Sequence, residues 1–226
     1  MSRASTRAVE PPEAAGERDP DTTRTRLLDV AFAQIYEHGY QGLRVEALLA
    51  EAGLTKGAFY HHFPSKSALG LAVIDELLAG LADLVWRQHL SQFQDPIEGI
   101  EDCARFALAL LGPRATTLGC PINNLAQEMS GLDPAFQQRL AGVLEGIIGN
   151  IAAALDRGKA AGSVRADVDA RAAATFILAA IEGAIGIAKG TRSEATLTDA
   201  LAEARRYLAT LRVAPARRAP AARRKV

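Results

Sequence analysis

The chain has 226 residues, 49% of them hydrophobic and 5% aromatic, and its 26 basic side chains balance its 26 acidic ones. The apolar fraction excludes a wholly disordered chain, and two cysteines are too few for a disulfide-stapled secreted scaffold. We therefore expect a folded protein in a reducing, cytoplasmic setting. The neutral total gives no sign of a nucleic-acid partner, although residues 212–226 carry six basic and no acidic side chains.

Both ends of the chain differ in composition from the part between them. Residues 1–20 are polar and lack the apolar run of a signal peptide, so we expect a disordered extension and no export by that route. Residues 213–226 are dominated by Ala, Pro and Arg and predict a basic disordered tail. Between these ends, apolar residues recur every three or four positions and strand-like alternation is nearly absent. The sequence therefore predicts an all-α fold of about nine helices.

Three helices are predicted near the N-terminus. The first spans residues 23–38 and ends at Gly39 in a left-handed cap. The second spans residues 45–52 and stops at Gly53, and the third spans residues 56–63 and stops before a proline. These helices form a small unit of their own.

Longer helices are predicted in the rest of the chain. One over residues 65–91 connects the N-terminal unit with the C-terminal part. Asp95-Pro96 and Asp133-Pro134 each place a capping carboxylate before a proline at the first helical position, which predicts two further helix starts. A short helix is expected between those two.

The last two predicted helices span residues 167–189 and 194–211 and are rich in Ala and Gly. Small residues let helices approach closely, which suits packing between two copies of the chain across a two-fold axis. Packing within one subunit explains the same residues and remains open. The segment from Ala172 to Ala188 is highly apolar, but Glu182 interrupts it, so we expect a buried helix and no membrane partner.

Residues 39–69 carry the pattern of a helix-turn-helix, with Gly53 at the bend between the two short helices. Thr55 is the expected N-cap of the second short helix, and Leu54 and Phe59 would form a hydrophobic staple around it. Because the staple buries one side of the helix, the opposite side is left to contact DNA. Its residues are able to contact phosphates or base edges, or to let the backbone approach: Thr55, Lys56, Gly57, Tyr60, His61 and His62. An ordinary solvated helix face is the alternative for the last three.

The segment GLTKGAFYHHFPSKSAL, residues 53–69, resembles the TetR family of bacterial transcriptional regulators, and the resemblance covers about residues 24–75. It implies a helical homodimer with a DNA-binding domain at residues 21–66. Residues 67–212 would form a domain that binds an effector and dimerises through the last two long helices. The resemblance also implies that Lys66 contacts a phosphate. Arg44 stands where family members carry Thr or Ser, and we expect its guanidinium to take over their phosphate contact.

An effector pocket is expected in the C-terminal half, with apolar walls and a few polar groups that orient a mostly apolar or aromatic small molecule. For each candidate taken alone, plain core packing is the more common explanation. The candidates are Trp86, Phe93, Phe106, Leu110, Cys120, Asn123, Asn124, Gln127, Met129, Phe176 and Glu182.

The segment GCPINNLAQE, residues 119–128, is similar to that of family members that sense electrophiles or oxidants through cysteine. Cys120 precedes a proline at an expected helix N-terminus, a position that favours the thiolate and raises reactivity. A small buried apolar residue is the alternative interpretation. Spacing alone does not decide whether Cys120 pairs with Cys103.

Together these patterns predict a ligand-responsive repressor that leaves a palindromic double-stranded DNA operator when a small molecule binds its C-terminal domain. The long helix over residues 65–91 is the expected lever, because it belongs to both domains. Metal-ligand spacing, a phosphate-binding glycine loop and a nucleophile elbow are all absent from the sequence, so we expect no catalytic residues, metal or cofactor. A small helical enzyme, a Cys120-based redox sensor and a nonspecific architectural DNA-binding protein remain the alternatives.

Overall fold

The computed structural model describes residues 20–214. The predicted N-terminal extension and basic tail lie outside the described residues, apart from Pro20, Val213 and Ala214. The all-α prediction is confirmed for the described part, whose only extended pairing is an isolated antiparallel bridge between Val164 and Arg212.

Three helices form the N-terminal unit: α1 at Pro20–Gly42, α2 at Val45–Ala52 and α3 at Lys56–His62. A continuous helical rod, α4, then covers residues 66–92 and joins this unit to the rest of the protein. Six further helices come after it: α5 at Pro96–Leu111, α6 at Arg114–Thr117, α7 at Pro121–Met129, α8 at Pro134–Ala161, α9 at Ala170–Thr191 and α10 at Glu194–Thr210. The predicted helices are therefore present in the described chain, with the single turn α6 in addition.

Capping side chains set the helix starts as the sequence predicts. The carboxylate of Asp95 accepts hydrogen bonds from the N–H groups of Ile97 and Glu98, and Asp133 caps α8 in the same way. Helix α9 begins three residues later than predicted, because the side chain of Asp169 accepts from the N–H of Ala172 and fixes the start at Ala170.

The rod α4 changes its hydrogen-bonding pattern along its length. It is α-helical at Lys66–Ala72 and Ala79–Asp83, π-helical at Val73–Leu78 and Leu84–His89, and ends in a short 3₁₀ turn at Leu90–Gln92. Stretches with i→i+5 hydrogen bonds are uncommon and occur often at functional sites.

The end of α1 differs from the prediction. Gly39 has φ 77° and ψ 163°, which is positive in φ but outside the left-handed helical region, and the helix resumes beyond it as far as Gly42. The predicted cap at Gly39 is therefore a kink inside α1. The carboxylate of Glu128, a residue of α7, lies beside this kink, where it would meet a Cβ atom on residue 39.

A continuous apolar core runs from the N-terminal unit through the C-terminal helices. At the N-terminal end of this core, Leu27 of α1, Leu48 of α2 and Phe59 of α3 are fully buried together with Leu69 of α4. In the C-terminal part, α9 packs between α8 and α10. Among the described residues, α9 is the one helix with the length and composition that a membrane crossing needs, and its place in this core gives those properties another explanation.

Gly158 of α8 offers a test of this packing. A Cβ atom there would lie 2.5 Å from Cγ of Pro96 and 2.6 Å from Cγ2 of Val164, whereas one at Gly149 in the same helix meets nothing within 4 Å. We expect Gly158→Ala to lower the free energy of unfolding by about 1–3 kcal/mol through overpacking. Gly149→Ala, the control, should leave it unchanged or raise it by up to about 1 kcal/mol. Urea denaturation measures both, and equal effects would contradict the packing.

Candidate DNA-binding surface and effector cavity

The geometry of α2, α3 and their connection is that of a helix-turn-helix. Gly53 adopts the left-handed conformation, φ 63° and ψ 41°, at the end of α2. The Oγ1 atom of Thr55 accepts a hydrogen bond from the N–H of Ala58 at 3.2 Å and starts α3, as the sequence predicts. Phe59 and Phe63 are buried beneath α3. The turn and the buried aromatic residues therefore fix which side of α3 faces outwards.

The outer side of α3 carries the residues that the sequence predicts to contact DNA. Tyr60 is 57% exposed and rests edge-on against Phe59. His61 is exposed and touches the ring of the half-buried His62. A Cβ atom on Gly57 would meet only Oγ1 of Thr55, at 3.8 Å. Packing inside the protein therefore leaves room for a larger side chain at position 57.

The basic residues of this region are in different environments. Lys56 is exposed and its Nζ lies 3.2 Å from Oε1 of Glu46 on α2, while Arg44 is exposed at the start of α2. Lys66 is half-buried, and its Nζ lies 4.6 Å from the ring centroid of Tyr40. Burial lowers the pKa of Lys66, and the nearby Arg44 charge lowers it further. Lys56 and Arg44 are therefore accessible to a phosphate, whereas Lys66 is already held by the protein.

One further cation beside the turn is absent from the predicted DNA-contacting set. Arg26 of α1 is exposed, and its guanidinium reaches to 3.9 Å from the position that a Cβ on Gly53 would occupy. It lies in the first helix, far from the motif in sequence, and only the packing of α1 against α2 brings it there. The one feature of the sequence that could have indicated Arg26 is its position as a basic residue on the outer face of the first helix.

A carboxylate of the C-terminal part is bonded directly to the backbone of the N-terminal unit. Oε2 of Glu128 on α7 accepts from the N–H of Tyr40 at 2.9 Å, and Oε1 accepts from the N–H of Gln41 at 2.8 Å. A Cβ atom on Gly39 would lie 2.9 Å from the same carboxylate. Hydrogen bonds to an ionised acceptor are among the stronger ones in proteins. This contact, which we call the Glu128 clamp, explains both the kink and the glycine at residue 39.

Aromatic contacts flank the clamp. The hydroxyl of Tyr36 donates to the carbonyl oxygen of Gly119 at 2.6 Å, and burial raises the pKa of Tyr36 to about 12. The ring of Tyr40 packs on Phe136 of α8 at a centroid distance of 4.5 Å. The residue of α4 next to the Tyr40 ring is Gly70. A Cβ atom on this residue would lie 2.6 Å from the ring, so the contact depends on the glycine. The N-terminal unit is thus held against α7 and α8.

A cavity of about 50 Å³ lies inside the C-terminal part, between α4, α5, α7, α8 and α9. Four of the predicted pocket residues line it: Trp86, Leu110, Cys120 and Glu182. The remaining walls are almost entirely aliphatic and include Leu81, Val85, Ile147, Ile181 and Ile185. Leu110 is 47% exposed and marks the rim. The start of α7, at Pro121 and Ile122, forms another part of the wall.

Two ionisable groups face each other at this cavity. Burial raises the pKa of Glu182 to about 7, and its Oε2 atom has no hydrogen-bond partner among the described residues. Burial and the neighbouring Glu182 carboxyl raise the pKa of the Cys120 thiol, although the Ile122 and Asn123 N–H groups at the start of α7 oppose that shift. The expected thiolate at Cys120 is therefore corrected to a protonated thiol, because desolvation outweighs the helix terminus. Both cysteines are free, and Cys103 donates to the carbonyl oxygen of Val85.

The structure places the other predicted pocket residues away from this cavity. Asn123, Asn124 and Gln127 lie along an outer groove between α1 and α7, where the amide of Asn124 donates to the carbonyl oxygen of Leu118. Phe106 stacks on the ring of His89, and Phe93 makes an edge contact with the same ring. These five residues therefore belong to other surfaces than the cavity wall.

The last two candidates occupy opposite environments. Met129 is buried in the core at the end of α7, and Phe176 is 50% exposed on the outer side of α9, where it packs against Tyr207. Neither side chain reaches the cavity. Which side of a helix lines a cavity depends on the helices that pack against it. The sequence alone does not show those neighbours.

The raised pKa of Glu182 predicts a pH-dependent stability. Between about pH 4.5 and 7 the unfolded chain has lost this proton while the folded protein keeps it, so the free energy of unfolding falls as the pH rises. We expect a total fall of roughly 3 kcal/mol in the wild type relative to Glu182→Gln, which has no such group. Urea denaturation at several pH values measures the difference. Parallel pH profiles for the two proteins would contradict the burial of this carboxyl.

Two family models match the chain in succession. The model described as bacterial regulatory proteins, tetR family, matches residues 27–73, which contain the helix-turn-helix. The model described as tetracyclin repressor-like, C-terminal domain, matches residues 96–204.

Individual relatives agree with these models. The chain is 31% identical to the transcriptional regulator AcuR of Cereibacter sphaeroides over 174 residues, which are 77% of this chain and 80% of AcuR. The transcriptional repressor NemR of Escherichia coli K12 is 27% identical over 193 residues, 83% of this chain and 94% of NemR.

Solved structures share the whole fold. The reduced form of E. coli NemR superposes with a TM-score of 0.73 at 26% identity, over 86% of this chain and 99% of that one. The regulatory protein TetR from Rhodobacter sphaeroides gives a TM-score of 0.70 at 29% identity, over 84% and 99%. With both family models matched and relatives of this extent, the chain belongs to the TetR family of bacterial regulatory proteins.

Proposed function

We propose that this protein is a cytoplasmic, ligand-responsive transcriptional repressor that binds a palindromic operator as a homodimer. The observation that carries the proposal is the helix-turn-helix, whose α3 presents an exposed polar face above a fully buried Phe59. In this motif the second helix enters the major groove, and two copies related by a two-fold axis read two half-sites. The regulator AcuR and the repressor NemR, both similar to this chain, support the same function.

The proposed DNA contacts divide into two kinds. Arg44 and Lys56 would bind phosphates, and Tyr60, His61 and the less exposed His62 would reach base edges or neighbouring phosphates from α3. Thr55 and Gly57 lie at the start of α3, and there the backbone N–H groups would approach the DNA. Lys66 would reach a phosphate only by leaving the Tyr40 ring.

Homodimerisation is proposed through the outer side of α9 together with α10. Phe176 and Ile187 are 50% and 59% exposed, and they lie on one side of α9 with the exposed small residues Ala179 and Gly183 between them. An apolar face of this kind on a single chain favours burial against a second copy. Burial in a dimer would also account for the apolar composition of α9, which the rest of the chain only partly buries.

Release of the operator is proposed to pass through α7 as well as α4. Helix α7 begins at the cavity wall with Pro121 and Ile122 and reaches Glu128, about 10 Å further along its axis. A ligand that displaces the start of α7 therefore also moves the Glu128 clamp on Tyr40 and Gln41. The shift is limited by the difference in ligand affinity between the two arrangements.

Operator selection tests the function as a whole. Sites recovered from random DNA by the full chain should be palindromic, with half-sites separated by about one helical turn. Uniform protection of any sequence would favour an architectural protein instead.

Two variants test the DNA-contacting face on the selected operator. Lys56→Ala should weaken binding and lower the salt dependence of log Kd by about one for each chain, since one phosphate contact is lost. Tyr60→Phe should weaken binding to the operator, because the hydroxyl that reaches a base edge or a phosphate is lost. Fluorescence anisotropy at several salt concentrations measures both.

Glu46→Gln is the matched control for Lys56, because it removes the carboxylate that pairs with this lysine in the free protein. It should strengthen binding to any DNA sequence. Wild-type affinity and salt dependence in all three variants would contradict the assignment of this face.

Loss of the Glu128 clamp should lower operator affinity without changing its salt dependence. Glu128→Ala should weaken operator binding about 5-fold or more, because the N-terminal unit loses its fixed orientation. The salt dependence should stay at the wild-type value, since Glu128 contacts no phosphate in the proposed complex. Gln127→Ala, at the exposed neighbouring position, is the control and should bind normally. Unchanged operator affinity in Glu128→Ala would show that the clamp plays no part in DNA binding.

A further inference from the structure

A groove of about 460 Å³ lies between the end of α4 and the second half of α8, and we call it the α4/α8 groove. Small-molecule sites in proteins have volumes of about 300–1,000 Å³, so the space is sufficient for a ligand. On the α8 side the groove is lined by Asn150, Ala153, Arg157 and Ala161, which lie on one face of the helix at intervals of three or four residues. Both alanines are exposed, because their short side chains do not reach α4.

The α4 side of the groove is apolar at its floor. Trp86 and Leu90 are buried there, and the half-buried ring of Phe93 follows the 3₁₀ turn that ends α4. Trp86 and Phe93 are two of the residues that the sequence predicts for an effector pocket, and in this groove they lie together. With the alanines of α8 they form a wall that stabilises an apolar body, and their aromatic rings favour a flat one.

The charged groups at the groove leave one positive charge uncompensated. Arg87 is held by Asp83, whose carboxylate accepts from Nε and, at 2.7 Å, from Nη2 of the guanidinium. These bonds lower the pKa of Asp83 to about 2, so the two groups form a stable ion pair. Arg157 is exposed, and its side chain makes no ion pair or hydrogen bond with any residue that the structure describes. No acidic residue of the described chain lines the groove.

Two neutral amides of the groove are open as well. The side chains of Asn150 and Gln94 make no hydrogen bond with the described part of the chain. Asp75 in the first half of α4 pairs with Arg139 in the first half of α8, so the two helices run in the same direction and Gln94 lies at the Arg157 end. Asn150 lies two turns earlier, about 10 Å along α8. A ligand held at Arg157 therefore extends along the groove towards Asn150.

These features select the chemistry of the ligand. A carboxylate matches the paired N–H groups of a guanidinium, and the amide N–H groups of Gln94 are able to donate to it as well. A cation would face Arg157 as a like charge, and an uncharged molecule would forgo the ion pair. A dianion would bring a second negative charge towards the carboxylate of Asp83. The ligand therefore has one negative charge and an apolar remainder.

We propose that the α4/α8 groove binds an organic monocarboxylate with a flat apolar body, its carboxylate on Arg157 and its body against Phe93 and Ala153. The proposal rests on the proposed ligand-responsive function, for which it names a site and a ligand class. The site stays open in the proposed homodimer, because its lining residues belong neither to α9 nor to α10. Trp86 at its floor also lines the inner cavity, whose wall includes the start of α7, so the groove adjoins both elements proposed to transmit release.

The test compares four probes with the same ring system on the full chain: 2-naphthoate, 2-naphthamide, 2-naphthylmethylamine and 2-naphthyl phosphate. A cavity of about 150 Å³ accepts benzene, so a naphthalene body fits this groove. Titration calorimetry should show saturable binding of 2-naphthoate at one site per chain, and about tenfold weaker binding of the amide, since it lacks the charge that pairs with Arg157. Tighter binding of the amide, the amine or the phosphate, or no saturable binding of 2-naphthoate, would overturn the proposal.

Three variants place the binding in the groove. Arg157→Gln should weaken binding of 2-naphthoate about tenfold and leave that of 2-naphthamide unchanged, because only the ion pair is lost. Ala153→Phe, at an exposed position, should fill the groove and abolish binding of both probes. Arg206→Gln is the matched control, since it removes an exposed arginine of α10 that lies outside the groove, and it should bind as the wild type does. A preference for 2-naphthoate that persists in Arg157→Gln would contradict the role of this arginine.

An operator-binding measurement with 2-naphthoate distinguishes this proposal from the function on which it rests. Binding of 2-naphthoate that lowers operator affinity supports both. Binding with unchanged operator affinity supports the site and contradicts its effector role. Selection of a palindromic operator by a chain that does not bind 2-naphthoate leaves the proposed function in place and overturns this inference.

Discussion

One carboxylate of the C-terminal part, that of Glu128, accepts hydrogen bonds from two backbone N–H groups of the N-terminal unit and ties the two parts together. The two N–H groups come directly after a kink at Gly39, where the chain leaves helical geometry and a side chain would collide with the carboxylate. A short helical turn with a negative charge at its start is a favourable arrangement. A residue of the C-terminal domain, far away in sequence, therefore contacts the backbone just before the helix-turn-helix.

A second constraint is the buried carboxyl of Glu182. An ionisable group without a full set of partners destabilises the fold, and this one lies in an otherwise aliphatic cavity. Helix α7 connects the two carboxyl sites, since Cys120 precedes it and Glu128 lies near its end. The rod α4 connects the same two regions on the other side, and its π-helical turn at Leu84–His89 carries Val85 and Trp86 of the cavity wall. Two elements thus join the cavity to the DNA-binding unit.

The local features were predictable because they are encoded by neighbours in the chain. Thr55 caps α3 and Phe59 is buried beneath it, and Asp95 and Asp133 start their helices, each through contacts within a few residues. Some of the residues predicted to line a pocket surround one cavity, and the others do not. Trp86 and Glu182 face the cavity, whereas Phe106 and Phe176 face other rings, because several helical faces are apolar and periodicity does not say which one turns inwards.

The sequence by itself determined the helical fold, the helix-turn-helix with its exposed face, and the family, because capping residues and a contiguous motif act over short distances. Tertiary structure decided the rest. It turned the predicted cap at Gly39 into a kink held by Glu128, placed Lys66 against Tyr40, and reversed the expected ionisation of Cys120. Each of these depends on desolvation or on a partner from a distant part of the chain, and those are quantities that only the packed protein defines.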